Sequence, residues 1–269
     1  MTTRTALVTG ASSGIGAATA ARLVQAGFTV FGAGRRVERI EQIPGVTAIE
    51  LDITEDAQIR ATVDRVMEQA GRIDVLVNNA GYGQYGTVED TSIDTARRQF
   101  EVNMFGLASL TQLVIPPMRA QGDGTIVNIS SMGGRMYTPL GAWYHATKHA
   151  LEGWSDCLRI ELRSMGIKVV IIEPGIIATE FTDVVAGNFA MSSEPYSDVV
   201  SKVTSTMNDP KLQAKASSPD LVAKTVMRAV NAKKPKQRYA VGYLAKPLLG
   251  LRRLGGDRLF DRTLASIYN

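Results

Sequence analysis

A chain of 269 residues, 45% hydrophobic and 21% charged, can bury a sizeable core as one large α/β domain or two small ones. A single cysteine, Cys157, excludes an internal disulfide and a cysteine-built metal cluster, and two histidines, His145 and His149, make no convincing zinc set. The net charge of +4 is uneven: residues 231–269 carry nine Lys/Arg against two Asp, and the rest of the chain is net negative. No aromatic-basic stripe or base-reading module accompanies that charge, which argues against nucleic-acid binding. Cys157 is expected to pack as a small apolar residue. No secretory leader and no run of about 18 apolar residues is read, so a cytoplasmic protein is expected.

In chain order, Thr5–Thr9 reads as a strand and Gly14–Ala26 as a helix. Phe28–Ala33 is a second strand, followed by a short helix at Val37–Gln42. Val46–Leu51 and Asp56–Ala70 form the next strand–helix pair. Ile73–Val77 is a fourth strand and Ile93–Arg119 one long helix. Thr125–Ile129, a helix over Trp143–Ser164 and Lys168–Ile172 complete the alternation. Strands alternating with helices of this length imply right-handed crossovers and a parallel sheet covered on both faces. The expected fold is therefore a Rossmann-type, doubly wound α/β sheet in a single domain spanning 1–269. After Pro174-Gly175 the texture changes. Residues 176–217 are rich in Ser, Thr, Asp and Met, and so long a weakly periodic stretch reads as a substrate loop or lid. A helix starts at Ser218-Pro219-Asp220, and a short strand follows at Arg238–Val241. Residues 243–269 form a helical extension in two pieces, around Leu244–Leu254 and Asp257–Tyr268, split by Gly255-Gly256 with Asp257 as cap.

The first strand runs into Thr9-Gly10-Ala11-Ser12-Ser13-Gly14-Ile15-Gly16. Glycines here allow a tight turn and a close approach of backbone to a pyrophosphate. The following helix points its free N–H groups and positive dipole end at that anion. The spacing is G-x-x-x-G-x-G. It resembles the first turn of the short-chain dehydrogenase/reductase family, TGxxxGxG. The resemblance runs through most of the chain in order: Asn78-Asn79-Ala80-Gly81 after the fourth strand, then Asn103, Ser131, Tyr144 and Lys148, then Pro174-Gly175 with Thr179. It implies cofactor contacts at Gly10, Ser12, Ser13, Gly14, Ile15 and Gly16. It further implies them at Asp52 and Ile53, at Asn79, Ala80 and Gly81, at Tyr144 and Lys148, and at Pro174, Gly175, Ile177 and Thr179.

The sugar end follows from charge. An acidic residue at the end of strand two would accept hydrogen bonds from a ribose 2′-hydroxyl and repel a 2′-phosphate. Gly34 stands at that position, and Arg35 and Arg36 follow. A guanidinium fork matches a phosphate, so NADP(H) is the expected cofactor, with Arg35 the first choice of partner and Arg36 the second.

Tyr144 and Lys148 are four apart on a helix and share one face. A phenol with a pKa of about 10 is a poor base near neutrality. An ammonium about 4 Å away, at an effective dielectric of about 20, contributes on the order of 4 kcal/mol, or roughly three pKa units. Tyr144 is thus expected to be drawn toward neutrality as a general acid/base, with Lys148 also holding the nicotinamide ribose. Ser131, thirteen residues earlier, can polarise the substrate oxygen; Ser130 is the competing choice. The resemblance makes Asn103 part of a kinked helix holding a water that links Lys148 to solvent, and gives the carboxamide to Thr179. His145 and His149 are read as packing or surface residues. Tyr82, Tyr85, Tyr137 and Trp143 are read as pocket or core residues.

The reaction implied is reversible hydride transfer between nicotinamide and a carbonyl or secondary alcohol. Phe181, Val184, Val185, Phe189, Met191 and Leu248 point to a bulky apolar small-molecule substrate. An NADPH-binding regulator without turnover and a sugar-nucleotide epimerase are the rivals. A homodimer or homotetramer is expected, pairing through the helices at 93–119 and 143–164. The basic, amphipathic tail is expected to pack on its own domain near the substrate mouth, with a partner subunit or an anionic membrane surface as the alternatives.

Overall fold

The computed structural model describes residues 3–181 and 194–268. Among them, seven strands form one parallel sheet: β1 (Thr5–Thr9), β2 (Thr29–Gly34), β3 (Val46–Glu50), β4 (Val75–Asn78), β5 (Gly124–Ile129), β6 (Ile167–Pro174) and β7 (Arg238–Val241). Their order is β3-β2-β1-β4-β5-β6-β7. The helices are α1 (Gly14–Gln25), α2 (Val37–Glu41), α3 (Asp56–Ala70), α4 (Ile93–Phe100), α5 (Gly106–Gln121) and α6 (Ala142–Glu161). They continue with α7 (Ser197–Met207), α8 (Pro210–Ala214), α9 (Pro219–Asn231) and α10 (Ala245–Tyr268). None of the described helices is long and apolar enough to cross a membrane.

β1 and β5 are buried along their whole length, as strands covered on both faces must be. Alternation then assigns the faces. Ala6 and Val8 join Leu23 of α1 and Val222 and Val226 of α9 in one core. Leu7 points the other way, into a core with Ile59 and Val63 of α3 and Leu110 and Val114 of α5. Strand order reverses between β1 and β4, and a doubly wound sheet opens its ligand crevice at such a switch point.

Four features differ from the sequence expectation. The long helix at 93–119 is interrupted by a π turn at Glu101–Phe105. Its cause is visible on both sides. Asn103 brackets the backbone of Tyr82 with its amide, accepting from the N–H at 3.1 Å and donating to the carbonyl at 2.9 Å. Gly106 lies so close to the Ile53 carbonyl that a Cβ would come within 2.0 Å of its oxygen. Second, β4 begins at Val75, because the Ile73 backbone is satisfied by the Gln121 side chain at both its N–H and its carbonyl. Third, the stretch 176–217 contains α7, whose Val199, Val200, Val203 and Met207 make an apolar stripe. Fourth, Cys157 is exposed on α6 rather than packed. The break in the tail falls at Gly256, with φ 62° and ψ −170°.

Candidate active site

At the C-terminal edge of β1, Gly10 and Gly14 take left-handed backbone angles (φ 64° and 53°). Gly16 is held by contact instead: a Cβ there would lie 2.2 Å from the Gly10 carbonyl oxygen and 2.5 Å from Asn79 Nδ2. Asn79 braces the turn, donating to the carbonyls of Thr9 (3.0 Å) and Gly10 (3.2 Å). The Thr9 hydroxyl in turn accepts from the backbone N–H groups of Asn79 and Ala80, both at 3.0 Å. The result is a bare backbone cradle at the start of α1, the shape a pyrophosphate needs.

The two arginines after β2 diverge. Arg36 reaches back to this turn, donating to the hydroxyls of Ser12 (3.3 Å) and Ser13 (2.9 Å). Arg35 is exposed and acts electrostatically on Asp52 and Tyr82. Burial works against ionisation of Asp52. Two hydrogen bonds from Thr54, at 3.0 Å from its N–H and 2.7 Å from its hydroxyl, outweigh that and, with Arg35 and Arg98, hold the carboxyl below its usual range. Arg35 thus lies on the Asp52 side of the crevice and Arg36 on the glycine-turn side.

The reacting end sits where β5 and α6 meet. Ser131 caps a short turn, accepting from the Gly133 N–H at 3.0 Å, and its hydroxyl draws the Tyr144 phenol down. Ser130 turns its hydroxyl beneath Gly134, where it is buried with no partner among the described residues. Geometry thus favours Ser131. Lys148 donates to the Ile129 carbonyl at 2.9 Å, with its ammonium 6.0 Å from the centre of the Tyr144 ring. Burial pushes the phenol up to about 12, partly offset by Ser131, and pushes Lys148 down to about 8, partly offset by Glu152. In the polypeptide alone, then, desolvation dominates at Tyr144, which is poised as a proton donor. Asn103 is 1% exposed and also donates to Thr147 at 3.2 Å, so its side chain is wholly engaged by protein.

Past β6, Gly175 packs against Tyr243, whose carbonyl oxygen would be 2.1 Å from a Cβ. This close approach carries Ile177 and Thr179 across the crevice, where the Thr179 methyl lies opposite Gly14. The crevice is continuous, about 1040 Å³, from Arg35 and Asp52 through the glycine turn to Tyr144 and beyond. Its far end is apolar. The rings of Tyr85 and Phe181 lie 5.7 and 5.4 Å from Tyr144, and Val203 and Met207 of α7 join them. Val184, Val185, Phe189 and Met191 lie outside the described residues. From the tail the crevice takes Tyr268, not the expected Leu248. The tail reaches it by packing on its own domain: buried Phe260 meets Tyr137 edge to face at 5.2 Å, and Tyr137 donates to Asp261 at 2.8 Å.

Comparison with known proteins decides the family. The family model described as short chain dehydrogenase matches residues 4–188. The chain belongs to the short-chain dehydrogenase family. It is similar to the uncharacterized oxidoreductase YbbO of Escherichia coli K12, 36% identical over 97% of this chain and 94% of that one. It is also similar to a 3-ketodihydrosphingosine reductase of Bacteroides thetaiotaomicron, 40% identical over 66% of this chain and 65% of that one. Among solved structures, a short-chain dehydrogenase from Streptomyces avermitilis superposes with a TM-score of 0.80 at 33% identity, covering 99% and 94% of the two chains. An actinorhodin polyketide ketoreductase with NADPH gives 0.74 at 30%, covering 85% and 90%. This short-chain dehydrogenase is an NAD(P)-dependent oxidoreductase, and its glycine cradle, which any added Cβ would fill, fits such a cofactor.

Residues around these complete the site. His145, directly after Tyr144, is buried and neutral: burial pushes its pKa down to about 4. Its Nδ1–H donates to the Gly133 carbonyl at 2.9 Å while Nε2 accepts from the Thr138 N–H at 3.1 Å, pinning the loop that follows Ser131. Asn78 and Asn128 cross-link α5 to α6 through the sheet, with bonds of 3.0 Å to Thr111, 2.9 Å between them and 2.8 Å to Ser155. Glu180 pairs with Arg36 and Arg39. No spacing rule marks the Asn78, Asn128 and Glu180 contacts, because their partners are far away in sequence.

Proposed function

We propose that this short-chain dehydrogenase is NADP(H)-dependent and interconverts a carbonyl group and a secondary alcohol on a bulky apolar substrate. The observation that carries the reading is the meeting of Ser131, Tyr144 and Lys148 at the inner wall of an apolar chamber. NADPH held on the glycine turn would supply the hydride to the carbonyl carbon. In the reductive direction Ser131 donates a hydrogen bond to the carbonyl oxygen and polarises it. Tyr144, kept protonated by burial, gives its hydroxyl proton to that oxygen as the C=O π bond opens. Lys148, drawn to about 8, can return a proton to the phenolate near neutral pH.

Arg36 and Arg35, with Gly34 in place of an acid, support NADP(H). Tyr85, Phe181, Val203, Met207 and Tyr268 support an apolar substrate, and a relative named as a 3-ketodihydrosphingosine reductase is in keeping with one. The cytoplasm, where exposed Cys157 would stay reduced, is the compartment this reading favours. The test is NADPH and NADH oxidation across a panel of bulky apolar and small polar carbonyls. Turnover is expected with NADPH in preference to NADH and with the apolar members first. NADPH binding without turnover on any member would move the reading to a cofactor-binding regulator.

We further propose self-association through α6 and the π turn, where Ile160 and Phe105 are 67% and 57% exposed. Sedimentation at micromolar concentration is expected to give a dimer or tetramer. A lone monomer would overturn this.

A further inference from the structure

The carboxylate of Glu180 spans two arginines. It lies 3.0 Å from the Arg36 guanidinium and 2.7 Å from that of Arg39. Arg36 is the same side chain that donates to the Ser12 and Ser13 hydroxyls on the phosphate turn. Arg36, one of the two arginines after β2 that could take a 2′-phosphate, is therefore already paired with an acid delivered from across the crevice, after β6, rather than from the end of β2. The Arg36 and Arg39 bonds hold the Glu180 carboxyl below its usual range, so it is an anion throughout the neutral region.

We propose that Glu180 is a specificity-determining residue for the cofactor, competing with the 2′-phosphate for Arg36 and so narrowing the preference for NADP(H) over NAD(H). The inference rests on the NADP(H) reading above. The chemistry is one of like charges. A 2′-phosphate carries nearly two negative charges at neutral pH and needs the same guanidinium donors that Glu180 occupies. It must displace the carboxylate or share the fork with it, and either course weakens binding. NADH brings no group to that place and leaves the Glu180–Arg36–Arg39 bridge intact. All three side chains are partly exposed, so the penalty is modest and screened by salt.

The experiment is direct titration of the full chain with NADPH and with NADH, in the wild type and in Glu180→Gln, at low and high salt. Glu180→Gln keeps the shape and removes the charge. It is expected to bind NADPH about fivefold more tightly at low salt, to bind NADH within about twofold of wild type, and to lose much of the gain at high salt. Weaker or unchanged NADPH binding in the variant would overturn the proposal, since Glu180 would then be orienting Arg36 or doing nothing. The outcomes separate the two readings. A wild type that prefers NADPH with no gain in the variant leaves the NADP(H) reading standing and removes this one. A wild type without preference whose variant gains NADPH affinity does the reverse. No preference in either protein removes both.

Discussion

Replacing Tyr144 with Phe is expected to lower kcat for carbonyl reduction by about 10³-fold while leaving the NADPH dissociation constant within about twofold of wild type. The substitution removes one oxygen and keeps the ring. The ring contacts to Tyr85 and Phe181, at 5.7 and 5.4 Å, survive, so the apolar chamber and the fold are preserved. What is lost is the proton donor. No other group can replace it from the same place. The Lys148 ammonium is committed to the Ile129 carbonyl, and His145 is neutral with both ring nitrogens engaged in holding the 133–138 loop. The Ser131 hydroxyl remains, able to polarise the oxygen but with no driving force to surrender its proton. Stopped-flow or steady-state measurement of NADPH oxidation, beside a binding titration, separates the two quantities. A variant that kept a large part of wild-type kcat would mean that the proton comes from elsewhere.

The contrast between Tyr144 and its surroundings shows what a sequence makes legible. Fully buried parallel strands are short apolar runs between helical patterns, so Thr5–Thr9 and Thr125–Ile129 could be read directly. The glycine turn was legible because Gly10, Gly14 and Gly16 answer to local backbone demands. The pairing of Tyr144 with Lys148 was legible because four residues are one helical turn. By contrast, the π turn at Glu101–Phe105 depends on Tyr82 and Ile53, residues that only the fold brings to it. The apolar stripe of α7 was obscured by its Ser, Thr and Lys neighbours. The burial that raises the Tyr144 phenol in the polypeptide alone is a property of the packed whole, whereas the lysine's charge can be seen in the sequence. Glu180 had no signal: nothing local distinguishes an acid aimed at Arg36 from one aimed at solvent.

Gly16→Ala is expected to weaken NADPH binding on the order of 100-fold, the loss of one or two charge-assisted contacts. Two local rules disagree here. Gly16 lies in α1 and does not have a left-handed φ, so helix propensity alone favours alanine by up to about 1 kcal/mol. Packing opposes it. A Cβ 2.2 Å from the Gly10 carbonyl oxygen and 2.5 Å from Asn79 Nδ2 must push one of them away, and the first is backbone. Overpacking of this kind costs about 1–3 kcal/mol, which outweighs the propensity gain. The displaced groups are also the ones that shape the phosphate cradle. Asn79 holds the Thr9 and Gly10 carbonyls at 3.0 and 3.2 Å, so moving it opens the turn that the pyrophosphate would enter. The damage should therefore be larger in cofactor affinity than in stability. Gly153→Ala provides the control. It is also a helical glycine, on α6, but nothing lies within 4 Å of its Cβ position, so there propensity acts unopposed. Thermal melts and NADPH titrations of both variants should show Gly153→Ala at or slightly above wild-type stability with unchanged affinity. Gly16→Ala should melt lower and bind poorly. If Gly16→Ala instead bound NADPH like the wild type, the cradle would not be where the cofactor's phosphates sit.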